Sequence, residues 1–265
     1  MPGTVLAPEA LRVVNYAHRG ASGLAPENTM AAFEAAATHG AHVVELDVRR
    51  TADGHLVVMH DPSPARTTNV AELFPERAEA PVSDFTLAEL RRLDAGGWRD
   101  PRHAGERIPT FDEAMDLFAQ RDLRVLLEVK APGEYPGIAE QIVAELRSAY
   151  AGWLSGRMIV QSFDWEFMRA LRSLLPRIPV GLLGAPDVAQ LSAYAGFVDH
   201  VNPPRSAATA EYVESVHQWG MAVNVWTVDD PAEMSRLIAN GVDGIITNRP
   251  DLLHATFAVA PDTAG

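Results

Sequence analysis

From residue 13 onward the chain repeats one pattern, a short run of branched and aliphatic residues followed by an amphipathic stretch with helical spacing. The apolar runs are "VVNYA" (13–17), "HVVELDVRR" (42–50), "RVLLEVK" (124–130), "RMIVQSF" (157–163), "PVGLLG" (179–184), "FVDHVNP" (197–203), "MAVNVWTV" (221–228) and "DGIITNRP" (243–250). Strands that alternate with helices pair in parallel, because a parallel neighbour needs a crossover connection. Strands covered on both faces read as near-continuous apolar runs, as several of these do. About eight such units predict a (β/α)8 TIM barrel. A doubly wound open sheet is the rival, but no G-x-G-x-x-G opens the first helix and "GIITN" reads as a closing strand.

Local signals punctuate the pattern. "TMAAFEAAATHG" (29–40) is helical, with Asn28 or Thr29 able to cap it and Gly40 as its stop. "TADG" is a turn, and "HLVVMH" (55–60) returns from it as a hairpin extension of the second strand. Thr110 and Glu113 form a capping box ahead of "FDEAMDLFAQ". Residues 61–108 break the rhythm: they are rich in Pro, Asp and Arg, and "TLAELRRL" is their one clear helix. Their apolar content reads as too thin for a core, so residues 1–265 are expected to be one barrel domain with 61–108 inserted after the second strand. "TVLAPEAL" (4–11) and "APDTAG" (260–265) are expected to be frayed ends.

Composition narrows the function. With 265 residues and 47% hydrophobic content the chain can bury a full-sized core. A formal net charge of −13 argues against sequence-independent nucleic-acid binding, though not against a phosphorylated substrate served by local cations or a metal. The absence of cysteine excludes disulfides and thiolate metal sites. No basic-then-apolar leader is visible at the start and no apolar run is long enough to span a bilayer, so a cytoplasmic, soluble protein is the expectation. Nothing in the sequence bears on oligomeric state.

Functional groups of a TIM barrel sit at the C-terminal ends of its strands. The first strand ends in His18-Arg19-Gly20, and the hairpin of the second ends in His60-Asp61. Within "VVELDV" (43–48), Glu45 and Asp47 share one face because side chains alternate along a strand. Two carboxylates so placed repel each other and lose hydration, which costs several kcal/mol unless a partner compensates. Glu128 and Lys130 share a face on the third strand. Three carboxylates from neighbouring strands suit a hard cation such as Mg2+, Ca2+ or Mn2+. Histidine suits proton transfer near neutral pH, and Arg19 and Lys130 suit phosphate oxygens. Together they describe metal-assisted phosphoryl transfer. Taken singly, each signal also has a plain structural reading: Lys130 could simply pair with Glu128, and Trp226 could be a barrel-core aromatic. The other seven histidines read as structural or exposed.

The order "AHRGASGLAPENT … VELDVRRTADGHLVVMHDPSPARTTN … LLEVK … QSF … VNVWTVDDPAEMSRLIANGVDGIITNRPDLL", from about residue 13 to 253, resembles the glycerophosphodiester phosphodiesterase family. The resemblance implies a TIM barrel of the phosphatidylinositol-phospholipase-C-like kind, with the insertion as a small cap beside the mouth. It implies Glu45, Asp47 and Glu128 as ligands of one divalent cation, and His18 and His60 as the catalytic histidines. Arg19 and Lys130 then meet the phosphate, and Trp226 stands on the substrate side. The implied reaction cleaves glycerophosphodiesters to sn-glycerol 3-phosphate and an alcohol. One departure concerns the leaving-group side: where family members often follow "TTN" with glycine and a compact loop, this chain runs on as "VAELFPERAEAP" (70–81). Alternatives are a lysophospholipase D-like or other phosphodiesterase on the same scaffold, a Schiff-base lyase using Lys130, and a non-catalytic phosphate-binding barrel.

Overall fold

A computed structural model describes residues 13–258, and the expectations for "TVLAPEAL" and "APDTAG" lie outside them. Nine strands form a single sheet: β1 (Val14–Ala17), β2 (Val43–Arg50), β3 (Leu56–Val58), β4 (Arg124–Val129), β5 (Met158–Ser162), β6 (Val180–Leu183), β7 (His200–Asn202), β8 (Ala222–Val225) and β9 (Gly244–Thr247). Eight pair in parallel around a closed ring, with β1 between β9 and β2. β3 lies outside the ring, antiparallel to β2, as the "TADG" turn predicts. The open-sheet alternative falls on the β1–β2 closure.

Alternation along each strand sorts the core into two compartments. Val44, Leu46 and Val48 of β2, with Val125, Leu127 and Val129 of β4, face outward into the large apolar layer beneath the helices. The opposite parity points inward. There Val43, Leu126, Tyr16 and Ile246 form a separate apolar floor inside the barrel. Glu45, Asp47 and Glu128 continue the inward parity one and two steps further along their strands, which carries them above that floor toward the mouth. The register fixes this: Asp47 is the Cα partner of Glu128, and Glu45 that of Leu126.

The helices follow their sequence signals. Thr29, not Asn28, caps the helix Met30–Thr38 by accepting from the Ala32 amide. The Thr110–Glu113 capping box is present ahead of Phe111–Gln120, whose Phe111, Ala114, Met115, Leu117 and Phe118 are buried. The segment 61–108 corrects one expectation. Its apolar residues do gather: Val70, Val82, Phe85, Leu90, Leu93, Ala95 and Ile108 pack together, with Val57 and Met59 of the hairpin completing the cluster. The content that looked too thin suffices because the barrel's own hairpin lends it a floor. "TLAELRRL" shortens to the helix Leu87–Leu90, and Val70–Leu73 forms a second short helix. No helix of the described residues is long and apolar enough to cross a membrane.

Candidate active site

At the C-terminal mouth of the barrel lies a cleft of about 150 Å³ whose walls include His18, Arg19, Glu45, His60, Glu128 and Lys130. The aromatic pair Phe163 and Trp226 lines the same cleft, with the Phe163 ring centroid 5.8 Å from Lys130 Nζ. The residues singled out from the sequence thus meet in one place, although they come from β1, β2, β4, β8 and the end of the β2–β3 hairpin.

The backbone is bent to achieve this. Arg19 (φ 55°), Asn28 (φ 56°) and Ala131 (φ 41°) are three of the four described non-glycine residues with positive φ. That conformation costs of order 1–3 kcal/mol each and persists where the surroundings over-determine it. The bend at Arg19 turns its amide onto Glu45 Oε2, 2.8 Å away. Gly20 follows with φ 76°, and a Cβ there would lie 2.7 Å from the Ala32 backbone, so the close approach of the first helix requires glycine.

Glu45, Asp47 and Glu128 present carboxylate oxygens within 4.8 Å of one another, all buried. Burial first, then Asp47 and Glu128, drives the Glu45 carboxyl well above its usual range. Glu128 is pushed up to about 7 by burial and by Asp47. For Asp47 burial acts in the same direction, but Arg19, Lys130 and His60 outweigh it and hold the carboxyl at about 2. Asn28 Nδ2 donates to Asp47 Oδ2 at 2.8 Å, and Arg19 Nε stands 3.4 Å from the same oxygen. Asp47 Oδ1 has no hydrogen-bond partner although the residue is only 1% exposed, and Arg19 Nε likewise makes no hydrogen bond. Buried polar atoms are almost always satisfied, so an orphaned carboxylate oxygen between two further carboxylates is what a cation site looks like from the protein side. An oxygen-only donor set fits a hard divalent ion.

The two histidines are held differently. His18 Nδ1 lies 2.7 Å from Asn248 Oδ1. Asn248 Nδ2 donates to Asp229 Oδ2 at 2.7 Å, which makes Oδ1 the acceptor and places the His18 proton on Nδ1. Nε2 is left with a free lone pair. Burial, then Arg19, lowers the His18 pKa to about 4, so the ring is neutral near pH 7. His60 instead sets Nδ1 2.6 Å from Asp61 Oδ1, an acceptor that supports an imidazolium. Its pKa is nonetheless lowered, by burial, Arg19 and Lys130, against the opposing pull of Asp47 and Asp61.

Lys130 Nζ is 2.5 Å from Glu128 Oε1 and 3.5 Å from Asp47 Oδ1. Burial disfavours its charge, but Asp47 and Glu128 prevail and raise its pKa. Trp226 donates its indole N–H to the Asn202 carbonyl at 2.7 Å and meets Phe163 edge-on at 5.8 Å between centroids. Sequence reasoning missed Asn28, Asp61 as His60's partner, Asn248 and Asp229. Asn28 passed as a helix cap, and Asn248 joins His18 only across 230 residues of chain.

In comparison with known proteins, residues 18–252 match the glycerophosphoryl diester phosphodiesterase family. The chain belongs to that family. It is 37% identical to a glycerophosphodiester phosphodiesterase of Caldanaerobacter subterraneus subsp. tengcongensis, over 92% of this chain and 97% of the relative. A glycerophosphodiester phosphodiesterase of Bacillus subtilis is 35% identical, over 95% of this chain and 88% of its own. Among solved structures, an Oleispira antarctica phosphodiesterase in complex with the product sn-glycerol-3-phosphate superposes with a TM-score of 0.78 at 27% identity, covering 92% of this chain and 96% of that one.

Proposed function

We propose that this enzyme hydrolyses glycerophosphodiesters to sn-glycerol 3-phosphate and an alcohol, with one divalent cation, Mg2+ or Ca2+, held by Glu45, Asp47 and Glu128. The observation that carries the reading is the buried Asp47 carboxylate, whose Oδ1 makes no hydrogen bond and which presents an oxygen within 4.8 Å of oxygens of two carboxyls whose pKa values are raised. Mn2+ shares the required oxygen-ligand chemistry. When bound, the ion supplies Lewis-acid charge for a phosphoryl oxygen.

The chain's own groups divide the remaining work. Arg19 and Lys130 meet the phosphate oxygens and offset the charge that builds on them. The bare Nε2 of His18 takes the proton of the attacking hydroxyl, since burial and Arg19 keep the ring neutral and Asn248 holds its own proton on Nδ1. The His60 ring, backed by the Asp61 carboxylate, gives a proton to the departing alkoxide. Phe163 and Trp226 line the same cleft and meet the substrate there. The segment 61–108 serves as a cap beside the mouth, reaching it through residues next to His60.

A Schiff-base role for Lys130 is disfavoured by its ion pairs. A nucleophilic amine needs a depressed pKa, and here it is raised. The test is release of glycerol 3-phosphate from glycerophosphocholine by the purified protein with Mg2+, Ca2+, Mn2+ or EDTA, against lysophosphatidylcholine as comparator. Turnover of the glycerophosphodiester with a divalent ion, and none in EDTA, is the expected pattern. Undiminished turnover in EDTA would overturn the cation site, and preference for lysophosphatidylcholine would overturn the substrate class.

A further inference from the structure

Arg66, the first arginine of the inserted segment, holds two carboxylates at once. Its Nε is 2.5 Å from Asp61 Oδ2 and its Nη2 is 3.1 Å from Asp61 Oδ1. The same guanidinium donates to Glu27 through Nη1 at 2.9 Å and Nη2 at 2.8 Å. Each carboxylate in turn holds a group facing the phosphate cleft. Asp61 accepts from His60 Nδ1 at 2.6 Å, and Glu27 accepts from Arg19 Nη1 at 2.8 Å. The chain of contacts is therefore His60–Asp61–Arg66–Glu27–Arg19, closing on Asp47 through Arg19 Nε.

We infer that Arg66 is a positioning residue that sets the proton-donating histidine and the phosphate-binding arginine in mutual register, through Asp61 and Glu27. The inference rests on the roles proposed above for His60 and Arg19. Several features separate it from a surface ion pair. The guanidinium is 46% exposed, so its bonds add little to stability on their own account. Two bidentate contacts nevertheless fix its plane, and only a planar fork can satisfy both carboxylates together. Without Arg66, Asp61 and Glu27 would be unpaired on one side and free to rotate away from His60 and Arg19. The arrangement also ties the insertion to the loop after β1, since Glu27 and Arg66 belong to those two segments.

The test is a set of double-mutant cycles on the full-length, metal-saturated enzyme with glycerophosphocholine, reading kcat and KM separately. Arg66→Ala is expected to lower kcat/KM by about 10- to 100-fold, the usual cost of losing a partner that orients a catalytic group. Arg66→Lys should restore little, because one ammonium cannot hold both forks. In an Asp61→Asn background most of the kcat loss from Arg66→Ala should vanish, and in a Glu27→Gln background most of the KM change should vanish. Equal losses in all three backgrounds would show independent action and overturn the inference, as would full rescue by lysine or wild-type kinetics in Arg66→Ala. Thermal midpoints of the same variants identify any loss that is merely unfolding. Failure of the underlying reading looks different: His60→Ala would then keep wild-type turnover whatever Arg66 does.

Discussion

The two halves of the barrel mouth solve the problem of inward polar groups in opposite ways. On the β5–β8 side the buried side chains are neutral amides that satisfy one another: Asn202 Nδ2 donates to Gln161 Oε1 at 2.7 Å, and Asn224 Nδ2 to Asn202 Oδ1 at 2.9 Å. Gly181 on the intervening strand makes room, since a Cβ there would sit 2.9 Å from Asn202 Nδ2. On the β1–β2–β4 side the groups are charged, and two buried atoms, Asp47 Oδ1 and Arg19 Nε, make ion-pair contacts at 3.4–3.5 Å but no hydrogen bond. A finished hydrogen-bond network needs nothing from outside, whereas an unfinished one is completed by what binds. The difference separates a wall from a reaction centre.

The largest test of that contrast removes charge from the unfinished half. Glu45→Gln keeps the shape of the side chain but deletes one ligand oxygen's charge, and activity should fall by more than the roughly 100-fold typical of outer-shell losses at a metal site. Stability should move the other way in EDTA. Burial, Asp47 and Glu128 raise the Glu45 pKa, so its charged form is less favourable in the metal-free folded protein than in the unfolded chain. The variant should then melt above the metal-free wild type and lose the stabilisation that added Mg2+ or Ca2+ gives the wild type. Calorimetry with and without the ion reads both, and a metal-free variant that melts below the wild type would break the comparison.

A second test asks whether the histidines differ as their partners do. His18→Ala and His60→Ala should each lose about 100-fold or more in kcat with glycerophosphocholine. With a p-nitrophenyl phosphodiester, whose leaving group needs no proton, the His60→Ala deficit should shrink while the His18→Ala deficit persists. Equal deficits on both substrates would mean that Asn248 and Asp61 do not assign the base and the acid.

The same contrast explains what could be read from the sequence. The barrel was legible because eight apolar runs and their helices leave few alternatives, and the acidic site because Glu45, Asp47 and Glu128 violate burial rules at period-two positions. The supporting groups were hidden. Glu27, Asp61 and Arg66 are charges in Pro-rich loops, where a solvated surface is the default reading. Asn28 looks like a cap until its positive φ turns it to Asp47. The apolar cluster of 61–108 escaped notice because its members follow no helical or strand period and borrow Val57 and Met59 from the hairpin.

The smallest expected effect belongs to the aromatic wall. Phe163 is 56% exposed and stands edge-on to Trp226, whose N–H is already spent on the Asn202 carbonyl. Neither ring has a proton or a charge to offer the phosphate, so their contribution is contact area. Truncating Phe163 to alanine removes ring contact with the substrate, so KM should rise roughly threefold to tenfold, about 0.7–1.4 kcal/mol, with kcat nearly unchanged. Trp226→Phe retains the wall but removes one of the two hydrogen bonds the Asn202 carbonyl accepts, the Gly184 N–H remaining at 3.0 Å, so its effect should be smaller on KM and visible as a slightly lower melting temperature. Steady-state kinetics across glycerophosphodiesters with small and bulky alcohols distinguishes the wall from the reaction centre. A wall residue changes the ranking of alcohols, while a group acting on the phosphate lowers all of them together. A fall in kcat of the same size for every alcohol in Phe163→Ala would place that ring with the charged half instead.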